Sequence, residues 1–165
     1  MKISQPVKLF LSGVMVLFLI QISGCVSKKE FDQKILAEVD SQEDKVAALR
    51  GVQWQLEAYN YRGDWVSNFE TERIKIIFNH GTHLNGFSGC NVFSAEYKLR
   101  DTQINVSSIL STKKICQSRG DILMQTESHF LGLIEKIATY AVDYQTLILF
   151  NEHGKRVLVF MRQAE

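Results

Sequence analysis

The sequence has no surplus of charge of either sign, with 19 Lys and Arg residues against 18 Asp and Glu. That balance excludes the polycationic footprint by which nucleic-acid-binding domains hold a phosphate backbone. There is no apolar run long enough for a comfortable membrane span: the run from Leu9 to Ile22 is broken by Ser12, Gly13 and Gln21 and falls short of the about 20 residues such a helix needs. Internal repeats and low-complexity tracts are absent, and so are the signatures of common catalytic sites. No G-x-S-x-G elbow or S-x-x-K motif occurs, and the G-x-x-G spacing of Gly86 and Gly89 lacks the lysine and strand-to-helix context of a phosphate loop.

What is present begins with an export signal. Lys2 and Lys8 form a positive start, the Leu9–Ile22 run forms an apolar centre, and Ile22-Ser23-Gly24-Cys25 closes it. These four residues resemble the lipobox of bacterial lipoproteins, in which the cysteine receives diacylglycerol before cleavage. Residues 1–24 are therefore expected to be a lipoprotein signal peptide and Cys25 the lipidation site, carrying palmitate-type acyl chains. Removing Lys2 and Lys8 with the signal leaves 17 basic against 18 acidic residues, a formal charge of −1. Two or more acyl chains, at ~0.8 kcal/mol per buried methylene, hold a protein on a bilayer where one does not. Val26, in place of Asp, implies sorting to the outer membrane, on its periplasmic face.

Residues 25–50 are charged and lack Pro and Gly. Phe31, Ile35, Val39, Gln42, Val46 and Leu49 recur at spacings of three and four, one helical stripe. The stripe suits a charged helical tether, and a short coiled coil or partner-binding helix is the alternative. From Gly51 the pattern changes to short strands: Gln53–Tyr59, Ile74–Phe78, Phe93–Leu99, Gln103–Val106, Tyr140–Asp143, Thr146–Phe150 and Arg156–Met161. Asn79-His80-Gly81 and Asn151-Glu152-His153-Gly154 are turn sequences. Asp121 can cap a helix whose stripe is Leu123, Phe130, Leu133, Ile134 and Ile137, with Lys136 near its C-terminal end. Residues 51–165 are thus expected to form one α+β domain, a small, strongly bent, barrel-like antiparallel sheet with one packed helix.

With Cys25 assigned to lipid, Cys90 and Cys116 are left as a disulfide pair in an oxidising compartment. The loop so closed is worth ~3.5 kcal/mol on a chain-entropy estimate. Trp54-Gln55-Leu56, the run Asn85-Gly86-Phe87-Ser88-Gly89-Cys90-Asn91, Ser111-Thr112 followed by Cys116, and Glu127 with Phe130-Leu131 together resemble the META domain, a family that includes heat-shock-inducible HslJ-like envelope lipoproteins. The resemblance covers roughly residues 51–162. It implies an antiparallel β fold carrying one helix, a place in the cell envelope, a stress-tolerance role and no established catalytic activity. Ala95, where members often have Gly, and Ile115 beside Cys116 depart from the family pattern.

The residues themselves support no catalytic centre, so the chain is expected not to be an enzyme and to need no cofactor. His80 and His83 flank a turn but lack further ligands at metal-site spacing. Ser111 and Thr112 have no oriented base and read as backbone hydrogen-bonding partners. Glu127 and His129, two apart on a helix, point in different directions. Gly86 and Gly89 mark a bulge or a close backbone approach. The loop Tyr61, Arg62, Trp65 and Phe69 is the candidate partner-binding surface, aromatic area among orienting charges; folding of Trp65 and Phe69 back onto the sheet is the alternative. The expected function is a tethered, non-catalytic binding or stress-tolerance module with an envelope protein, peptide or lipid partner and no nucleic acid. Alternatives are a lipid- or secretin-binding pilot-like protein or an enzyme whose site only folding assembles. Cys25→Ser should abolish fatty-acid labelling in cells; continued acylation of that variant would contradict the lipobox assignment.

Overall fold

The computed structural model describes residues 41–67, 74–115 and 120–163. Cys25, Phe69, Cys116 and the expected N-terminal signal lie outside the described residues. Helix α1 covers residues 41–49, and nine strands follow: β1 Gln53–Tyr61, β2 Asp64–Val66, β3 Ile74–Phe78, β4 His83–Ser88, β5 Val92–Arg100, β6 Gln103–Ser111, β7 Ile137–Val142, β8 Thr146–Asn151 and β9 Arg156–Arg162. Helix α2, Gly120–Ile134, connects β6 to β7. All pairings between these strands are antiparallel, and β1 pairs with β9 as well as with β3. Eight strands, β1 and β3 to β9, therefore form a closed barrel, with β2 a hairpin extension of β1. The expected bent sheet is closed on itself, and the described residues are mostly β with two helices. Closure removes the free edges that an open sheet would expose.

Alternation writes the barrel interior. In β5, Phe93, Ala95 and Tyr97 point inward while Ser94, Glu96 and Lys98 face out, as period-two patterning requires. Trp54, Leu56, Ile74, Ile76, Phe78, Leu84, Leu147, Leu149, Leu158 and Phe160 complete the interior. An eight-stranded barrel is just wide enough for side chains to fill, and here they do. Arg50 and Leu49 join α1 to this core. Leu49 is fully buried, and its carbonyl, orphaned at the helix end, accepts the Trp54 indole N–H at 3.1 Å. Arg50 Nε donates to the Tyr97 hydroxyl at 2.9 Å, and that hydroxyl donates to the Asn79 carbonyl at 2.7 Å. Burial pushes the Tyr140 hydroxyl above its ordinary pKa, with Gln42 of α1 opposing the shift.

Two departures from strict alternation shape the surface. A bulge in β1 between Leu56 and Ala58 inserts Glu57 opposite β9, so the inward phase moves from Trp54 and Leu56 to Tyr59. In β6, Ser108 has a positive φ of 56°, and the strand continues to Ser111, past the expected end at Val106. The ladder is thinnest between β6 and β7, where Gln103 and Thr139 are the registered pair. Helix α2 carries Phe130, packed edge-on between Phe93 at 5.8 Å and Phe160 at 6.4 Å. It ends at Ile134, not beyond Ile137 as the stripe suggested; the N–H of Lys136 bonds the Leu133 carbonyl at 3.0 Å, and Ile137 enters β7 as a buried strand residue.

The turns expected at Asn79–Gly81 and Asn151–Gly154 are present, the second with the Asn151 Oδ1 accepting from the N–H groups of His153 and Lys155 at 3.1 and 3.0 Å. Strand β4, by contrast, was hidden in the polar His83–Ser88 stretch. Gly86 is where it needs no side chain: a Cβ there would lie 2.4 Å from the Phe93 ring and 2.5 Å from the Lys75 carbonyl oxygen. Gly86→Ala should therefore lower stability by about 2–3 kcal/mol through overpacking, read as a shifted urea midpoint, whereas Gly132→Ala, with open space at its Cβ, should leave the midpoint unchanged or raise it. Equal midpoints for wild type and Gly86→Ala would contradict the close approach.

Candidate functional site

The hairpin of β1 and β2 stands beside α2. Arg62 and Gly63 form its two-residue loop, both with positive φ (52° and 109°), and the Asn60 side chain accepts from the Gly63 N–H at 3.1 Å. Because the β1 bulge has turned Tyr59 inward, Tyr61 follows it on the same side two residues later. Both meet His129 of α2: ring centroids are 5.3 Å apart for Tyr59 and 4.9 Å for Tyr61, the latter edge-on. The His129 Nε2 lies 2.9 Å from the Asn60 carbonyl, which can only accept, so Nε2 donates. Helix and hairpin are thereby joined, and a groove of about 690 Å³ remains between them, lined among others by Tyr61, Arg62, Gln125, His129 and Lys136. Arg62 lies 5.3 Å from the centre of the Tyr61 ring. No carboxylate is among the groove's described lining residues, and these present aromatic area and cationic ends.

The candidate loop residues do not form one patch. Asn60 is paired with Trp65 and Tyr61 with Asp64, so alternation puts Trp65 on the opposite side of the hairpin from Tyr61. There Trp65 stacks over the Arg156 guanidinium at 4.5 Å and stays 41% exposed, against 42% for Tyr61. Phe69 lies outside the described residues. The sequence reading missed His129 and Lys136 as partners of Tyr61 and Arg62, since 69 residues separate His129 from Asn60. Their signal is weak: a polar position on α2 for His129 and, for Lys136, an exposed residue of the turn that follows Ile134.

The motif residues form a second cluster, and it is buried. Asn91, in the β4–β5 turn, donates through Nδ2 to Glu127 Oε2 at 2.9 Å, while its Oδ1 accepts from the Thr112 hydroxyl at 2.7 Å and the Lys114 N–H at 2.8 Å. Ser111 Oγ stands 3.2 Å from Glu127 Oε1 and also reaches the Thr112 and Val92 carbonyls. The Ser88 hydroxyl and N–H both donate to the Asn91 carbonyl at 2.8 Å. Glu127 is only 8% exposed. Its carboxylate is thus engaged by Asn91 and Ser111, an arrangement that ties turn, strand and helix together rather than one that activates a nucleophile. Glu127 and His129 do point different ways, one to this cluster and one to the groove. Cys90 sits in the same turn, its Sγ 3.8 Å from the Lys114 carbonyl. His83 begins β4 opposite Glu96, and His80 sits in the preceding turn. Among the described residues, no three His, Cys, Asp or Glu side chains group as a metal site.

Comparison with known proteins agrees with this architecture. A solution structure of a protein from Burkholderia xenovorans is 25% identical, with a TM-score of 0.58, covering 73% of this chain and 88% of that one. A second solution structure is 21% identical with a TM-score of 0.51, over 70% of this chain and 92% of the other. A crystal structure of a DUF4847 family protein from Bacteroides vulgatus shares the fold at 12% identity and a TM-score of 0.51, over 71% and 96% of the two chains. No curated protein matches the sequence. The META domain family model matches residues 47–165, and the chain belongs to the META domain family.

Proposed function

We propose that this protein is an envelope lipoprotein, anchored through Cys25 to the periplasmic face of the outer membrane, whose META domain is a non-catalytic binding module with a role in stress tolerance. The observation that carries the binding reading is the groove between the β1–β2 hairpin and α2. Tyr61 is held there by His129, Arg62 and Lys136 are among the lining residues, and no carboxylate is among the described ones. Such a surface suits an acidic peptide segment of an envelope protein, an apolar residue lying against Tyr61 and carboxylates meeting the two cations. The membrane anchor would raise the effective concentration of the module near that partner. A Cys90–Cys116 disulfide fits the same compartment, and the position of Cys90 beside Lys114, two residues before Cys116, supports that pairing.

Two alternatives receive less support. The barrel interior is filled by Trp54, Phe78, Tyr97, Phe130 and Phe160, which speaks against an acyl chain held within it, as a pilot-like reading would want. The buried Glu127 spends its oxygens on Asn91 and Ser111, which speaks against its use as a base.

Tyr61→Ala and Arg62→Ala should each reduce in-cell crosslinking to the partner several-fold while changing unfolding free energy by less than about 1 kcal/mol. Trp65→Ala, on the far side of the hairpin, should leave capture intact. Undiminished capture by stable Tyr61 and Arg62 variants would rule the groove out as the contact surface.

A further inference from the structure

A second concavity, sharing no lining residue with the hairpin–helix groove, lies where β1, β3 and β9 meet the β7–β8 turn. Its volume is about 1050 Å³, just above the ~300–1,000 Å³ of small-molecule sites. We propose that this cleft binds an oligosaccharide bearing carboxylate groups.

Its lining has a division of labour. Val52, Ile77 and Met161 supply apolar area, whereas the side-chain amides of Gln53, Gln145 and Gln163 supply groups that both donate and accept, the pairing that sugar hydroxyls require. Lys75 and Arg162 bring two cations, and no Asp or Glu is among the described lining residues. A neutral sugar would leave those charges unanswered; a uronate-type or other acidic sugar would meet them. Tyr144, 75% exposed, offers one ring face to solvent, the other being stacked by the Arg162 guanidinium at 4.7 Å. An open aromatic face held in place from behind is a platform for the C–H face of a pyranose.

The cleft is also preorganised. Gln53 pairs with Ile77, and Gln55 with both Lys75 and Met161, so cation and apolar residues sit on one continuous ladder. The Arg162 N–H bonds the Gln145 carbonyl at 2.8 Å, the Gln163 N–H bonds the Gln53 carbonyl at 2.9 Å, and Arg162 Nη1 reaches the Tyr144 carbonyl at 3.4 Å. The turn carrying Tyr144 is set by Asp143, whose Oδ1 accepts from the Gln145 and Thr146 N–H groups at 2.8 and 2.7 Å. The backbone of the cleft is therefore set before a ligand arrives, which favours affinity per contact.

The test is a titration of the full mature protein in detergent, followed by NMR, with trigalacturonate as the acidic probe, maltotriose as its neutral counterpart and triglutamate as a carboxylate without a sugar. Trigalacturonate should shift the signals of Tyr144 and Met161 and bind on the order of tenfold more tightly than either control, about 1.4 kcal/mol. Lys75→Ala and Tyr144→Ala, both solvent-facing changes, should each weaken it by a similar factor, and Tyr61→Ala should not. Silence of the cleft signals on adding trigalacturonate would overturn the proposal. So would equal binding of triglutamate, or binding indifferent to Tyr144→Ala, since either would mean that charge alone is recognised. Because Tyr61 lies in the other groove, failure here leaves the peptide-binding reading standing, and failure there leaves this one.

Discussion

A carboxylate taken out of water must be given donors, and the placement of Glu127 on α2 obeys that constraint. Leaving such a group buried without partners costs several kcal/mol, so the helix can settle only where Asn91 and Ser111 reach its two oxygens. Asn91 is in turn fixed by Ser88, Thr112 and Lys114. The β4–β5 turn, the end of β6 and the middle of α2 are thereby locked to one another. With that register set, Phe130 falls between Phe93 and Phe160, and His129 falls against Tyr59 and Tyr61. The groove is thus a consequence of the buried cluster on the other side of the same helix.

The motif residues that mark the family, Gly89-Cys90-Asn91, Ser111-Thr112 and Glu127, are accounted for by this structural role. They tie α2 to the β4–β5 turn and to the end of β6 by side-chain hydrogen bonds. The candidate binding surfaces are elsewhere. Two concavities on the barrel exterior, one between helix and hairpin and one beneath the β7–β8 turn, offer cations and aromatic rings without carboxylates among their described lining residues. A rigid scaffold with its chemistry on hairpins and turns is a common division in binding domains.

Much of the fold was legible. The Phe93, Ala95, Tyr97 alternation, the Asn-rich turns and the Leu123–Ile134 stripe each carried their own period, and those elements occur where expected. Strand β4 was not legible because Gly86 and its polar neighbours break the pattern; its role appears only when the Phe93 ring is seen occupying the space of the missing Cβ. The end of α2 was misjudged because Ile137 continues the helical stripe, yet it is equally buried as the first residue of β7. Of the candidate site, Tyr61 and Arg62 could be named from composition. Their separation from Trp65 could not, since it depends on the hairpin register and on a one-residue bulge at Glu57. His129 and Lys136 required the tertiary contact itself.

The dependence of helix placement on the buried carboxylate is tested most directly by a double-mutant cycle between Asn91→Ala and Glu127→Ala, measured by urea unfolding. If the two side chains act through one hydrogen-bonded link, the double variant should be less destabilised than the sum of the single variants, by a coupling of about 1.5–3 kcal/mol, as for hydrogen bonds to charged groups. Additivity of the two losses within about 0.5 kcal/mol would contradict the account, because Glu127 would then hold α2 in place by something other than Asn91.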